Sequence, residues 1–336
     1  MLAILLRDFA RSLIGAKLCT LVHGSDFFYG VLKYYRPVRT SDNVTYSIDK
    51  LILEYSFCSP RSLDDFLVFL SLNRDFEYRY AQSARSPGVY FHRFNFFCEN
   101  GASFWVGVQR VKGNLGLLLD ARIEFNPNKC FDDFVFARVI NQLYLCSDRC
   151  PRLVRFDLAV DIPVLRQDCF LFKDQRLYEE VRKSDVDRTQ YLGQRNKPGR
   201  VKVYNKQLES ALSCPMTRLE ITIGSDRSYS FLEKVFPKLI IIDDLQLCFS
   251  DFSLNDTDRF IVKTVLLDPE RISELGRRQK EKTRRILDKY TRAFHVNAHV
   301  YSDIVTRIDD FCQLVPVPDF LDPWSGRHDF VDGVFT

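Results

Sequence analysis

Strict alternation of apolar and polar residues is the feature that most constrains the fold of this chain. From Val154 to Ile162 every second residue is apolar, and the same pattern recurs in Ala121–Phe125, Arg200–Tyr204 and Thr217–Ile223. Successive side chains of a strand point to opposite faces, so each segment can present an apolar row to a core and a polar row to the other face. The pattern therefore predicts several half-buried strands.

Helices and tight turns are mixed with these strands. Asn100-Gly101, between two aromatic runs, predicts an antiparallel hairpin because both residues tolerate positive φ. Ser62 and Asp65 form a capping box at the start of a helical apolar repeat. A further helix is predicted over 131–145, with Phe134, Ala137, Ile140 and Tyr144 on one stripe. The predicted strands are 46–57, 89–98, 103–111, 117–125, 153–162, 190–193, 200–205 and 217–223.

This element order predicts an α+β fold: a largely antiparallel sheet with helices packed on one face and a basic helical C-terminal region. Two strand-then-helix units leave an internal duplication open. For the 336 residues we predict an N-terminal extension over 1–45, an α+β catalytic domain over 46–258, a basic helical region over 259–300 and a tail over 301–336.

Composition limits the class of protein. The net charge of +4 permits nucleic-acid binding wherever the positive charge is clustered. Of the ten cysteines only Cys146 and Cys150 lie close together, which gives no zinc framework and indicates reduced, buried thiols in a cytoplasmic protein. The apolar opening, Met1–Leu6, is far too short for a membrane span, so we expect no membrane partner.

The polar rows of the alternating strands hold acids, cations and a phenol. They consist of Arg122 and Glu124; Arg155, Asp157 and Asp161; Arg200, Lys202, Tyr204 and Lys206; and Arg218 and Glu220. In one sheet these rows would gather four carboxylates around a tyrosine. Carboxylate oxygens suit Mg²⁺ or Mn²⁺, which would polarise a phosphodiester while lysine and arginine stabilise the transition state.

A phenol titrates near pH 10, so nearby cations and a metal-bound phosphate would be needed to favour the phenolate. The ordinary alternative is that each strand simply has a solvated face, as antiparallel strands commonly do.

At these residues the sequence resembles the Rep-trans family, the replication initiators of small Gram-positive rolling-circle plasmids. The matching segments, in the family's order and approximate spacing, are ARIEFNPNK (Ala121–Lys129), VRFDLAVD (Val154–Asp161), QYLGQR (Gln190–Arg195), VKVYNKQLE (Val201–Glu209) and TRLEIT (Thr217–Thr222). A weaker similarity continues over 256–290. The turn after QYLGQR departs from the family pattern, since Asn196-Lys197-Pro198-Gly199 stands where Ser or Asn is frequent.

The resemblance implies a site- and strand-specific nickase. Tyr204 would attack an origin phosphate at a hairpin tip, form a 5′-phosphotyrosine link and later rejoin the strand. Glu124, Asp157 and Glu220 match the acidic motif positions and would bind Mg²⁺ or Mn²⁺, with Asp161 as a ligand or its support. Lys202 and Lys206 would steady the phosphate. Tyr191 also lies in a family motif and is the alternative nucleophile.

A run of cations predicts the DNA-binding surface. After a predicted helix start at Asp268-Pro269, the basic residues are Arg277, Arg278, Lys280, Lys282, Arg284, Arg285, Lys289 and Arg292. Such a density suits a phosphate backbone, although a solvated charged helix is the plain alternative. We also assign Arg195 and Arg200 to DNA contact.

His295 and His299 lie four apart without a HExxH motif, which indicates a surface pair.

The resemblance further implies a double-stranded origin with a nick-site hairpin or single-stranded segment, a homodimer and a host helicase as partners. Two other functions remain open. A relaxase that nicks a transfer origin would need the same chemistry, and a DNA-binding regulator could keep a nickase fold without catalysis.

Overall fold

The structure is a computed structural model that describes residues 21–22, 36–57, 61–82, 90–113, 116–147, 149–184, 187–242, 254–267, 269–313 and 315–316. The predictions for segment 1–6, for a helix cap at Asp268 and for the tail over 317–336 lie outside these residues.

The fold is α+β, as the sequence predicts, and eleven strands are hydrogen-bonded into one antiparallel sheet. The strands are β1 Leu21–Val22, β2 Val38–Arg39, β3 Thr45–Ser56, β4 Tyr78–Gln82, β5 Tyr90–Phe97, β6 Ser103–Gly113, β7 Gly116–Phe125, β8 Arg152–Ile162, β9 Cys169–Leu171, β10 Tyr178–Arg182, β11 Arg188–Leu192, β12 Val201–Asn205, β13 Thr217–Ile223, β14 Leu239–Ile242, β15 Thr291–Phe294 and β16 Val315–Pro316. The helices are α1 Arg61–Leu72, α2 Pro127–Cys130, α3 Phe134–Leu145, α4 Lys206–Glu209, α5 Tyr229–Val235, α6 Asp256–Leu267, α7 Arg277–Tyr290 and α8 Ala298–Gln313.

The chain divides into two compact units, of which the first comprises 1–36, 48–156 and 303–336. In it β3, β7, β6, β5 and β4 pair in this order, each antiparallel to the next. The predicted hairpin joins β5 to β6, and Gly101 supplies the positive φ of 80°. The core is aromatic: the Phe104 ring lies 4.9 Å from that of Phe96 and 5.2 Å from that of Phe136 on α3.

The stripe predicted for α3 is partly wrong. Ala137 and Ile140 are buried, but Phe134 is 49% exposed. The helix begins at Phe134 rather than at 131, because Asp133 caps it by accepting a hydrogen bond from the Phe136 backbone N–H at 3.0 Å. The face that packs inward is therefore centred on Phe136 and Val139.

The second unit comprises 37–47 and 157–302. Its part of the large sheet runs in the order β10, β11, β12, β13 and then β8. A separate antiparallel sheet joins β9, β14 and β15. Helices α6 and α7 bury apolar side chains in a cluster with the second sheet, and α7 contributes Ile286 and Leu287. This packing leaves the opposite side of α7 exposed.

A buried arginine fixes the beginning of β11. The Arg166 guanidinium, 2% exposed, donates to the carbonyls of Arg188 at 3.2 Å and Cys169 at 2.5 Å and to the Gln190 side-chain oxygen at 2.5 Å. Burial lowers the pKa of Arg166 to about 10, so it stays charged at neutral pH. The hydrogen bonds hold the strand that carries Tyr191.

Several elements differ from the predictions. The segment from Pro269 forms a 3-10 helix, Pro269–Glu274, and the basic α-helix begins only at Arg277. Arg292, predicted with that helix, lies on β15. The structure also contains strands that the sequence did not indicate, namely β4, β9, β10, β14 and β15 and the two-residue strands β1, β2 and β16.

The described cysteines form no disulfide. Most of them are buried, as predicted. Within the described ranges, every helix is too short or too polar to cross a membrane.

Candidate active site on the polar face of β12 and β13

The register of β12 against β13 assembles the candidate site. Lys202 is paired with Glu220 and Tyr204 with Arg218. The residues that alternate with them, Val201 and Val203 on β12 and Leu219 and Ile221 on β13, are fully buried. The polar residues therefore lie together on the other face of the sheet. This confirms the alternation read from both segments.

Tyr204, Glu220 and Lys202 form a compact cluster. The Tyr204 hydroxyl donates to Glu220 Oε1 at 2.8 Å, and Lys202 Nζ lies 3.3 Å from Glu220 Oε2. Lys202 Nζ also lies 3.9 Å from the centroid of the Tyr204 ring. A hydroxyl nucleophile, an acceptor for its proton and a third group that orients the acceptor are the parts that an activated nucleophile requires.

The protonation of Tyr204 differs from what the sequence argument requires. Tyr204 is only 6% exposed; burial raises the pKa of its phenol well above the usual value near 10, and the Glu220 carboxylate raises it further. The nearby cations do not outweigh these two effects. The phenol is therefore neutral at physiological pH, and it can attack only if its proton is removed during the reaction.

Asp161 is bound by an arginine. Arg218 Nε lies 2.6 Å from Asp161 Oδ1, and Arg218 Nη2 lies 2.7 Å from Asp161 Oδ2. This bidentate pair is nearly buried, with side-chain exposures of 11% and 16%. Such geometry gives short, strong, charge-assisted bonds. Arg218 was not among the predicted site residues, because its partner depends on which strands are neighbours.

The four predicted metal ligands are divided between the two units. Glu124 belongs to the first unit, where Lys50 binds it at 2.5 Å. In the second unit, Asp161 and Glu220 are bound by Arg218 and Lys202, and Asp157 is half-buried on β8. Across the described ranges, no three His, Cys, Asp or Glu side chains are placed to hold a metal. The metal site inferred from the sequence therefore stays a prediction.

Lys206, which was grouped with the polar row of β12, lies beyond the end of that strand. Strand β12 ends at Asn205, whose side chain caps α4 by accepting from the Leu208 backbone N–H at 3.0 Å. Lys206 is the first residue of that short helix and binds Glu209. Its predicted contact with a phosphate stays a prediction.

Tyr191, the alternative nucleophile, is half-buried on β11 and is paired with Lys202. The Arg200 guanidinium lies 4.8 Å from the centroid of its ring. Tyr191 is thus more accessible than Tyr204, and its ring contacts a cation, whereas the Tyr204 hydroxyl contacts a carboxylate. Arg195 is exposed in the loop that follows β11.

Most of the predicted DNA-binding cations lie on α7. Thr283, Ile286 and Leu287 are its buried face. Lys280 is half-buried, and the exposed basic residues are Arg277, Arg278, Lys282, Arg284, Arg285 and Lys289. Among these, Arg277 binds Glu281 at 3.5 Å and Lys282 binds the buried Asp258 at 2.5 Å. His295 and His299 are exposed, as predicted.

No protein-family model and no curated protein matches the chain. Among solved structures, the chain is similar to the rolling circle replication initiator protein from Geobacillus stearothermophilus. That similarity covers 81% of this chain and 97% of the other, with 11% sequence identity and a TM-score of 0.32. Membership of the Rep-trans family therefore stays a prediction.

The burial of Tyr204 predicts how the protein responds to alkaline pH. Because folding raises the pKa of this phenol, its contribution to stability is complete below about pH 10 and falls as the pH rises further. A near-ultraviolet titration should therefore show equal phenolate absorbance in the wild type and in Tyr204→Phe up to about pH 10. Loss of one phenolate from the variant in that range would show that Tyr204 titrates as an exposed phenol.

Proposed function

We propose that this chain is a DNA strand-nicking and rejoining enzyme that starts rolling-circle replication, with Tyr204 as its nucleophile. The observation that carries the proposal is the hydrogen bond from the Tyr204 hydroxyl to Glu220, with Lys202 beside both groups. These three residues lie in VKVYNKQLE and TRLEIT, two of the segments that resemble the Rep-trans initiators. The proposal thus joins a sequence pattern to an arrangement in which a carboxylate can accept the phenol proton.

The reaction assigns a role to each member of the cluster. Glu220 accepts the phenol proton as the Tyr204 oxygen attacks the scissile phosphorus. The bond from phosphorus to the 3′ oxygen breaks, that oxygen takes up a proton from solvent, and the 5′ phosphate stays on Tyr204. The Lys202 ammonium stabilises negative charge on the phosphate oxygens. Rejoining reverses these steps, with Glu220 returning the proton.

Access to Tyr204 is limited but not closed. The side chains of Lys202 and Glu220 are 33% and 15% exposed, so the polar face offers a way to the hydroxyl from their side. A phosphate that arrives there meets the lysine first. Its negative charge attracts Lys202 away from Glu220 and leaves that carboxylate to take the phenol proton.

The requirement for Mg²⁺ or Mn²⁺ stays a sequence prediction. A metal would bring electrophilic assistance to the phosphate. With Asp161 and Glu220 bound by Arg218 and Lys202, binding would require these ion pairs to open. We therefore assign no step of the reaction to a metal.

Recognition of an origin duplex is assigned to α7. Its basic residues are separated from its buried apolar face, so the helix can lie along a phosphate backbone while it remains anchored in the second unit. A homodimer, a host helicase and a nick-site hairpin are further partners that the sequence resemblance implies.

A non-catalytic DNA-binding regulator is the second candidate, because Tyr204 is 6% exposed. A conjugative relaxase would use the same residues as a replication initiator, and a plasmid-copying assay separates those two.

Tyr204→Phe should abolish cleavage and covalent DNA attachment, because it removes the attacking oxygen and retains the ring. Binding to duplex DNA should be unchanged. The measurement is peptide mapping of DNA adducts after incubation with supercoiled DNA that carries the chain's own origin. Tyr191→Phe is the matched control and should still form the adduct. Adducts that persist in Tyr204→Phe would exclude Tyr204 as the nucleophile, and a wild type that forms none would favour the regulator.

Glu220→Gln should slow adduct formation by about 10²- to 10⁴-fold, the usual contribution of a general base, because an amide cannot take the phenol proton. Single-turnover cleavage of a labelled origin fragment measures the rate. Glu233→Gln, at an exposed position of α5, is the matched control and should retain it. An unchanged rate in Glu220→Gln would remove Glu220 from the reaction.

The double replacement of Arg278 and Arg285 by Gln should weaken duplex binding and lower the slope of log K against log salt by about two, one unit for each lost phosphate contact. Fluorescence anisotropy over a range of salt concentrations measures the slope. The same replacement of the exposed Arg61 and Arg74 alters net charge equally and should leave the slope unchanged. Equal slopes in both double variants would argue against α7 as the contact surface.

A further inference from the structure

Tyr191 lies in the same polar row as the proposed reaction centre. Tyr191 is paired with Lys202, and Lys202 is paired with Glu220. Paired residues of neighbouring antiparallel strands point to the same face, and neighbouring strands are about 4.8 Å apart. The backbone of Tyr191 is therefore about two strand spacings, or roughly 10 Å, from that of Glu220, whose carboxylate contacts Tyr204.

Tyr191 and Arg200 form a cation–π pair with a partly open surface. The guanidinium carbon lies 4.8 Å from the ring centroid, and both residues are half-buried. The backbone of Arg200 is held on both sides, since its N–H donates to the Lys197 carbonyl at 3.2 Å and its carbonyl accepts from the Thr222 N–H at 2.9 Å. The pair is thus positioned before any ligand binds.

The loop between the two residues, 193–199, is also held in place. Gly193 has a φ of +86°, and a Cβ there would lie 3.2 Å from Arg200 Cα, so the close approach of β11 to β12 requires glycine. At the other end, Arg176 donates to the carbonyls of Gly199 at 2.8 Å and Val235 at 2.7 Å. A loop fixed in this way loses little entropy on binding.

Positive charge lies on the loop side of the pair. Arg195 and Lys197 are exposed on the loop, and Lys202 follows Arg200 along β12. On the other side, the exposed Glu179 of β10 is paired with Tyr191. A polyanion would therefore follow the loop and β12 rather than cross β10.

We infer that Tyr191 and Arg200 form a stacking platform that holds one unpaired base of single-stranded DNA next to the scissile phosphate. Aromatic rings and guanidinium planes stack on any base, while nearby cations bind the backbone. The inference rests on the proposed function, because it places the base relative to Tyr204. It gives Tyr191 a role in binding rather than in covalent attachment.

Binding of oligothymidylate, measured by fluorescence anisotropy, tests the platform without any cleavage. Tyr191→Leu should weaken binding by about five- to hundredfold, the range found when an aromatic stacking partner is removed. Tyr191→Phe retains the ring and should bind as the wild type does. Arg200→Gln should also weaken binding. It serves as a second variant if circular dichroism shows that Tyr191→Leu is misfolded. Wild-type affinity in a folded Tyr191→Leu or in Arg200→Gln would overturn the inference.

Photocrosslinking locates the base directly. An oligonucleotide that carries 5-iododeoxyuridine should crosslink to the peptide that contains Tyr191, and mapping to other aromatic residues alone would overturn the platform. Failure of the proposed function is distinguishable: the platform would still bind and crosslink, while Tyr204 would form no covalent adduct. If Tyr191 carried the covalent 5′-phosphate instead, Tyr191→Phe would abolish the adduct, and its assignment as a stacking residue would fail.

Discussion

The register between β12 and β13 is the constraint on which the candidate site depends. A shift by one residue would move Lys202 and Tyr204 to the buried face and bring Val203 outward. The fully buried valines and isoleucines of both strands oppose such a shift. The apolar rows therefore fix the geometry of the polar residues, and the short distance from the Tyr204 hydroxyl to Glu220 follows from core packing as much as from their own hydrogen bond.

Burial gives Tyr204 two opposing properties. It keeps the phenol protonated, which lowers its reactivity, and it also strengthens the electrostatic effect of every neighbouring charge. A carboxylate that already accepts the phenol's hydrogen bond reconciles these properties, because the proton can leave as the new bond forms. Such a nucleophile would be inert in the absence of DNA. This property would suit the proposed enzyme, which must cleave one site and leave other sites intact.

The sequence predicted the elements better than their partners. Alternation located β7, β8, β12 and β13 to within a few residues, because each has a buried apolar row. It missed β10, whose Tyr-Glu-Glu-Val-Arg sequence has mostly exposed side chains, and the short, wholly apolar β14. In the site, the pairs Asp161–Arg218 and Tyr191–Arg200 could not be predicted, since they depend on strand order and on a loop conformation that single-strand patterns do not encode.

Lys202 lies between Tyr191, the proposed stacking residue, and the pair formed by Tyr204 and Glu220. It is paired with Tyr191 on one side and with Glu220 on the other, and its ammonium lies over the Tyr204 ring. A phosphate bound by this lysine would have a stacked base on one side and the reactive phenol on the other. The same movement of Lys202 that binds the phosphate would weaken its ion pair with Glu220 and raise the basicity of that carboxylate. Substrate binding and proton removal would then be coupled through a single side chain.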